Sequence, residues 1–208
     1  MYLPFDAVLC DFDGVIRFYD QAEVAELEGT FGVEPGVTAR VAFAPHIDGP
    51  ALLGKATVEQ WADSVIAELA TQVPSEQARK LAEAFAGAPF WADQSVLDEL
   101  RQAQTHVPVV LVSNATLQLE EDLVGLGLAH FFDDVVSSAR VGLAKPDPRI
   151  YQIAAERAGA SPQRCLFVDD RAENVEAAVA LGMTGVLYRE MADLQRALAV
   201  SPSRPAMD

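Results

Sequence analysis

The stretch "VLCDFDGVIR", residues 8–17, places two carboxylates directly after a short apolar run. The run "AVLC" at residues 7–10 has the length and composition of a buried β-strand. Asp11 and Asp13 follow it, and Gly14 then allows the chain to turn sharply. Carboxylates are costly inside a core. This stretch therefore predicts both the first strand of the fold and the start of a site at its end.

Predicted strands and helices alternate through much of the remaining chain. Further strands are expected at 107–112, 134–138, 165–168 and 184–188. Helical segments lie between them, for example "DPRIYQIAAERAG", where Asp147 is the expected N-cap and Pro148 opens the first turn. This alternation predicts an α/β fold, a doubly wound parallel sheet with a Rossmann-like core.

Residues 17–88 interrupt the alternation because they look all-helical. Thr57 and Gln60 form a predicted capping box at the start of one of these helices. A single crossover lying flat on the sheet would not need so long a segment. We therefore expect a helical cap domain at 17–88, inserted into a core made of 1–16 and 89–200, with a flexible tail at 201–208.

Composition limits the partners and the compartment. The chain has 208 residues and a formal net charge of −16, which argues against nucleic acid as a partner. Two cysteines are too few for a disulfide framework. The sequence has no predicted signal peptide and no predicted transmembrane segment, so a cytoplasmic protein without a membrane partner is expected. Its oligomeric state is not predicted.

Polar side chains follow three of the predicted strands. These residues are Asp11, Asp13, Ser113, Asn114, Asp169 and Asp170. Ligands of open parallel sheets bind beyond the carboxyl ends of the strands, so these side chains are expected in one cleft. Two carboxylates ~4 Å apart repel by about 4 kcal/mol at an effective dielectric of ~20. A magnesium ion would relieve this repulsion and admit an anionic substrate. Lys145, in the loop after 134–138, is placed to reach the same cleft.

The combined pattern resembles the haloacid dehalogenase superfamily. Four motifs carry the resemblance: Asp11-x-Asp13-Gly14, Ser113-Asn114, Lys145-Pro146 and Asp169-Asp170. It extends from Val8 to Gly182, and "FVDDRAENVEAAVALGM" at 167–183 is most similar to the sugar-phosphate phosphatase branch. The resemblance implies a magnesium-dependent phosphatase acting on a small phosphorylated metabolite, with a sugar phosphate as the expected substrate.

The resemblance also implies roles for individual residues. Asp11 would be the nucleophile that forms an aspartyl phosphate, and Asp13 would be the general acid and then the general base. Asp11, the Asp13 backbone carbonyl and Asp170 would bind magnesium, with Asp169 a ligand or an outer partner. The transferring phosphoryl group would be held by Ser113, Asn114 and Lys145.

Two details bear on this resemblance. Many relatives carry an aspartate where this chain has Asn174, so Asn174 is expected to form hydrogen bonds at a helix start rather than to bind metal. Dehalogenating members usually lack the second aspartate of the first motif. Asp13 is present, which favours phosphate chemistry over cleavage of a carbon–halogen bond.

Several alternatives remain beside this interpretation. A phosphosugar mutase on the same fold shares the aspartyl-phosphate step, and a non-catalytic phosphate-ligand-binding protein belongs to another class. Cys165 and Arg171 fit the C-x5-R spacing of cysteine phosphatases, but two aspartates between them would repel the anion. A phosphoacceptor receiver domain carries its acidic residues in a different order along the chain.

The helical segment and its junction offer candidates for contact with the substrate. Arg17, His46 and Lys55 are candidates for substrate contacts, and Trp61 is a further candidate for the cap side of the cleft. Arg17 could equally be a surface residue near the hinge, and the spacing of Trp61 is more typical of a core residue.

Overall fold

The computed structural model describes residues 4–199, which fold around a five-stranded parallel sheet. Its strands are β1 (Ala7–Cys10), β4 (Val109–Ser113), β5 (Asp134–Ser137), β6 (Cys165–Asp169) and β7 (Thr184–Leu187). Their order across the sheet is β5-β4-β1-β6-β7. Each of the five expected strands is present, so the predicted fold class is confirmed.

Helices cover both faces of this sheet. They are α6 (Gln94–Gln104), α7 (Leu119–Gly125), α8 (Ser138–Val141), α9 (Pro148–Arg157), α10 (Ala172–Ala180) and α11 (Met191–Leu198), with a short 3₁₀ turn at Pro162–Arg164. Successive side chains of a strand point to opposite faces. Val8 accordingly packs with Leu100 of α6 on one face, whereas Leu9 packs with Ile150 of α9 on the other. Two apolar cores thus enclose the sheet.

Five helices follow the first strand and form a separate apolar cluster. They are α1 (Ala22–Phe31), α2 (Val37–Ala42), α3 (Pro45–Leu52), α4 (Val58–Leu69) and α5 (Ser75–Ala86). Val24, Leu69 and Leu81 are among the buried residues of this cluster. A group of helices with its own core is what an inserted unit requires.

The expectation that 17–88 is all-helical is wrong at its start. Strand β2 (Arg17–Tyr19) pairs with β3 (Phe90–Ala92) in an antiparallel ribbon. Phe18 lies opposite Trp91 with ring centroids 6.3 Å apart, and Tyr19 lies opposite Phe90 at 5.7 Å. The strands are short, and their partners are distant in sequence. Local periodicity therefore could not indicate this ribbon, through which the chain enters and leaves the helical segment.

Several local expectations can be compared directly with the structure. The capping box of Thr57 and Gln60 is present, and the Asp147 side chain accepts a hydrogen bond from the Arg149 N–H. Both cysteines are buried and free. Among residues 4–199, no helix combines the length and apolar character needed to cross a bilayer. The expected flexible tail, 201–208, lies outside the described residues.

Candidate active site

Asp11 lies just beyond the end of β1, and its carboxylate is buried. Its Oδ1 accepts hydrogen bonds from the Phe12 N–H at 2.7 Å and from Lys145 Nζ at 2.7 Å. Burial raises the pKa of Asp11 to about 8, because the nearby lysine only partly offsets the loss of solvent. Within residues 4–199, both of these partners lie on Oδ1, which leaves Oδ2 for another ligand.

Lys145 is enclosed between two carboxylates. Its Nζ lies 2.7 Å from Asp11 Oδ1 and 2.7 Å from Asp169 Oδ2. Burial alone would lower the pKa of Lys145, but the charges of Asp11 and Asp169 outweigh burial and raise it. The lysine is therefore an ammonium ion. Asn114 fixes its backbone, because Asn114 Nδ2 donates to the Lys145 carbonyl at 2.9 Å and the Lys145 N–H donates to Asn114 Oδ1 at 2.7 Å.

Asp169 is fully buried and is hydrogen-bonded within the protein. Its Oδ1 accepts from the Arg171 N–H at 2.9 Å, and Asn174 Nδ2 lies 3.0 and 3.1 Å from the two carboxylate oxygens. Asn174, near the start of α10, thus forms hydrogen bonds there as expected, to Asp169 rather than to the helix backbone. Asp169 orients Lys145 and Asn174.

Asp170 completes a cluster of three carboxylates. One oxygen each of Asp11, Asp169 and Asp170 lie within 4.8 Å of one another. Burial, together with the charge of Asp169, raises the pKa of Asp170. When all three carboxyl groups are ionised, Lys145 compensates one of the three negative charges and leaves two. Hard carboxylate oxygens and a double negative charge fit a magnesium ion.

Asp13, whose side chain is 40% exposed, forms an ionic network with the buried Arg17. The guanidinium donates from Nε to Asp13 Oδ1 at 2.6 Å and from NH2 to Asp13 Oδ2 at 3.0 Å. Its NH1 donates to Asp122 Oδ2 at 2.6 Å, and its Cζ lies 4.6 Å from the centre of the Phe12 ring. Arg17 is therefore a buried residue of the site, and the alternative of a surface arginine is wrong. Asp122 was missed, because nothing in the acidic first turn of α7 distinguishes it from its neighbours.

Ser113, the last residue of β4, is 1% exposed. Its Oγ has no hydrogen-bond partner among the described residues. A buried hydroxyl without a partner is costly, and such a group is commonly satisfied by a ligand or by water.

A cavity of about 670 Å³ opens beside these groups. Its polar side includes Asp11, Asp13, Lys145 and Asp170. The helical segment contributes Phe43, Asp48, Leu52, Val58, Trp61, Phe85 and Ala86. The cavity is therefore bounded both by the sheet and by the inserted helices. Trp61 combines its two alternatives, because its ring lines the cavity and also packs against the buried cluster of the inserted helices, where its Nε1 donates to the Ala42 carbonyl at 3.1 Å.

His46 and Lys55 do not line this cavity, so their assignment as substrate-contacting residues is not supported. Asp48 and Leu52 of α3 face it, and a helix advances about 100° per residue. His46 therefore points away, and its Nε2 lies 3.9 Å from Glu68 Oε2. Lys55 follows the end of α3 and is exposed to solvent.

Cys165 and Arg171, which fit the C-x5-R spacing, are not arranged as in the phosphate-binding loop of a cysteine phosphatase. Cys165 is buried at the start of β6, and Arg171 lies beyond the end of that strand. The strand itself separates them, so the two cannot form one phosphate-binding loop. The Arg171 guanidinium pairs with Glu173.

Part of the chain is similar in sequence to known phosphatases. A glyceraldehyde 3-phosphate phosphatase from Methanothermobacter thermautotrophicus is 34% identical over 110 residues, which is 52% of this chain and 48% of that protein. A phosphoserine phosphatase from Thermus thermophilus is 38% identical over 101 residues, 46% of this chain and 40% of that protein. These alignments thus span less than half the length of each relative.

Solved structures share the fold at low identity. A HAD family enzyme from Bacteroides thetaiotaomicron, in complex with magnesium and inorganic phosphate, has a TM-score of 0.65 at 21% identity and covers 86% of this chain and 92% of its own. The L-2-haloacid dehalogenase from Xanthobacter autotrophicus has a TM-score of 0.63 at 20% identity, with coverage of 92% and 81%. The sequence model of the haloacid dehalogenase-like hydrolase family matches residues 5–182 of this chain. With its parallel sheet and its carboxylates at the strand ends, the chain belongs to the haloacid dehalogenase-like hydrolase family.

Proposed function

We propose that this protein is a magnesium-dependent phosphatase that hydrolyses a small phosphomonoester through an aspartyl phosphate on Asp11. The observation that carries the proposal is the Asp11 carboxylate itself. It lines the cavity, with Lys145 on one oxygen and the other oxygen available. The names of the phosphatase relatives support the same reaction class.

In the first half-reaction, Asp11 Oδ2 attacks phosphorus and the bond from phosphorus to the ester oxygen breaks. Asp13 acts here in its protonated form, released from the Arg17 guanidinium, and gives its proton to the departing oxygen, so that the alcohol leaves neutral. In the second half-reaction, Asp13 accepts a proton from water, whose oxygen attacks phosphorus. The bond from phosphorus to Asp11 then breaks, and inorganic phosphate is released.

Lys145 and Ser113 would bind the transferring phosphoryl group directly, and Asn114 would support Lys145. Lys145 places a buried ammonium next to Asp11, and two of its three N–H donors are used by carboxylates. Ser113 would supply the hydroxyl that now lacks a partner among the described residues. Asn114 acts mainly through the Lys145 backbone, whose position it holds. Together they would neutralise charge on the phosphoryl oxygens in the transition state.

Magnesium would be held by Asp11, Asp170 and the Asp13 backbone carbonyl. Asp169 fits an outer position better, because protein donors occupy both of its oxygens. When bound, the ion would stabilise negative charge on the phosphoryl group and favour the ionised form of Asp11.

We also propose that the inserted helices form the cap predicted at 17–88. Two observations support a cap that moves as a unit against the core, which is formed by residues 1–16 and 89–200. The helices have their own apolar cluster, and the ribbon of β2 and β3 carries both chain crossings. Closing such a unit over the cavity would exclude water from the reaction.

The substrate would be a small phosphorylated metabolite, with a sugar phosphate expected from the resemblance. A phosphate-release screen over sugar phosphates, nucleotides and small phosphoesters, with magnesium, tests the proposal. We expect phosphate from at least one member and none after Asp11→Asn. Transfer of the phosphoryl group to a sugar hydroxyl instead of water would identify a mutase. Binding of these esters without any turnover would contradict the phosphatase and favour the non-catalytic alternative.

A further inference from the structure

Much of the apolar lining of the cavity is aromatic. Five rings line it, and we call them the aromatic wall: Phe43, Trp61, Phe85, Tyr19 and Phe90. The first three come from the inserted helices and the last two from the ribbon. The whole cavity, at about 670 Å³, has the size of pockets that hold drug-sized ligands. The volume beyond the polar groups is therefore available to the alcohol part of the ester.

The rings of the aromatic wall pack in two groups, one from the helices and one from the ribbon, and they still leave surface open. Phe43 meets Phe85 edge to face with centroids 5.5 Å apart, and Trp61 is 6.3 Å from Phe85. Phe43 nevertheless remains 63% exposed. An exposed ring in a cleft marks a place where apolar surface of a ligand is expected. Aromatic rings offer their faces to flat partners.

Polar groups on this side are few. Among the lining residues between 20 and 88, only Gln21 and Asp48 carry polar side chains. A bare sugar has several hydroxyls to satisfy, and those that turn towards the inserted helices would meet mostly apolar surface. Burial raises the pKa of Asp48 to about 6, although Arg171 opposes the shift. A poorly solvated carboxylate beside an apolar wall is well matched by N–H donors on a ligand.

We infer that the alcohol part of the substrate carries a flat nitrogen-containing ring, as a nucleoside does, and that this ring stacks on the aromatic wall and presents N–H groups to Asp48. The inference rests on the proposed phosphatase function, because it describes the leaving group of that reaction. A nucleoside 5′-monophosphate is also a sugar phosphate. The inference therefore keeps the expected substrate class and adds a base to the sugar.

Paired substrates test the inference. Adenosine, guanosine and cytidine 5′-monophosphates share the leaving oxygen of ribose 5-phosphate and add only the ring. We expect kcat/KM for at least one nucleotide to exceed that for ribose 5-phosphate by about 5- to 150-fold, the effect of stacking one base. Phe43→Leu, which keeps apolar bulk and removes the ring, should lower this ratio. Val124→Leu, at an exposed position of α7 outside the cavity, should not change it.

A binding assay separates failure of the inference from failure of the phosphatase. In a Trp91→Phe background, Trp61 is the remaining tryptophan, and a nucleoside without phosphate should quench its fluorescence whereas ribose should not. Quenching without phosphate release from any ester would retain the inference and overturn the phosphatase. Turnover of ribose 5-phosphate as fast as the nucleotides, without quenching, would overturn the inference alone. Absence of both signals would overturn both.

Discussion

Asp11 and Asp13 are separated by a single residue, yet they have different surroundings. Asp11 is buried and pairs with Lys145, whereas the side chain of Asp13 is partly exposed and pairs with Arg17. A nucleophile must stay at the phosphoryl site, and a general acid must reach the leaving oxygen on the cavity side. The difference in surroundings therefore matches the difference in proposed roles.

The two roles predict different losses. Asp11→Asn removes the attacking carboxylate, so turnover should fall to background on every substrate. Asp13→Asn keeps the backbone carbonyl and loses proton transfer, so kcat on a sugar phosphate should fall by about 10²–10⁴-fold. Its loss should be smaller with nitrophenyl phosphate, whose leaving group needs no proton. Steady-state kinetics with both esters measures this, and an active Asp11→Asn beside an inactive Asp13→Asn would reverse the assignment.

At the scale of elements, the turn after β1 determines how closely the motifs approach one another. Gly14 has φ +79, and a Cβ there would lie 2.2 Å from Asp170 Oδ2. The first motif and the last motif are thus in contact through this turn. Only a residue without a side chain permits both the backbone conformation and the approach.

Gly14→Ala should therefore disturb the position of Asp170 in addition to lowering the stability of the fold. Gly127→Ala is the matched control, because Gly127 has φ +73 and no atom of the described residues would lie within 4 Å of a Cβ added there. Both changes should cost about 1–2 kcal/mol of unfolding free energy from backbone strain. Only Gly14→Ala should weaken magnesium binding, since Asp170 must move. Chemical denaturation and a metal titration test this; equal metal affinity in the two variants would show that the contact is unimportant.

The helical segment depends on a buried carboxylate that caps α2. Glu28 of α1 is 3% exposed, and it accepts hydrogen bonds from the Gly36 N–H at 2.6 Å and the Thr38 N–H at 2.9 Å. Burial alone would raise the pKa of Glu28, but the hydrogen bonds from Thr38 and Gly36 outweigh it and lower the pKa below its ordinary 4.5. The ionised form is thus the stabilising one.

Stability should depend on pH through this residue. A depressed carboxyl pKa contributes stability that is full above pH 4.5 and is lost as the pH falls through the lower folded value. Glu28→Gln should cost about 1–3 kcal/mol at neutral pH, and this difference from the wild type should shrink below pH 4.5. Denaturation curves at several pH values measure it. Glu26→Gln, exposed on the same helix, is the control, and a similar loss there would contradict the explanation.

At the scale of the whole molecule, sheet order brings the site together. β1 lies between β4 and β6, so the ends carrying Asp11, Ser113 and Asp169 are adjacent. The chain also carries a formal charge of −16. Repulsion among the site carboxylates therefore adds to repulsion across the molecule, and a divalent cation bound at the site should stabilise the fold.

Magnesium should raise the melting temperature by roughly 5–10 °C at a hundred times its dissociation constant. Sodium chloride at equal ionic strength should give a smaller shift, because it screens charge without occupying the site. Asp170→Asn should reduce the magnesium effect towards that of sodium. Thermal unfolding monitored by circular dichroism tests this. An undiminished shift in the variant would place the ion elsewhere.

The sequence by itself determined the five strands of the parallel sheet, the fold class and the residues that meet at the ends of those strands. These features depend on side-chain periodicity and on strand ends, both of which are local. The tertiary structure alone decided which groups pair across the chain. Asp122 binds Arg17 from 105 positions away, and β3 pairs with β2 across the inserted helices. Such pairs follow from how helices and strands pack. The aromatic wall likewise exists only because the inserted helices face the sheet.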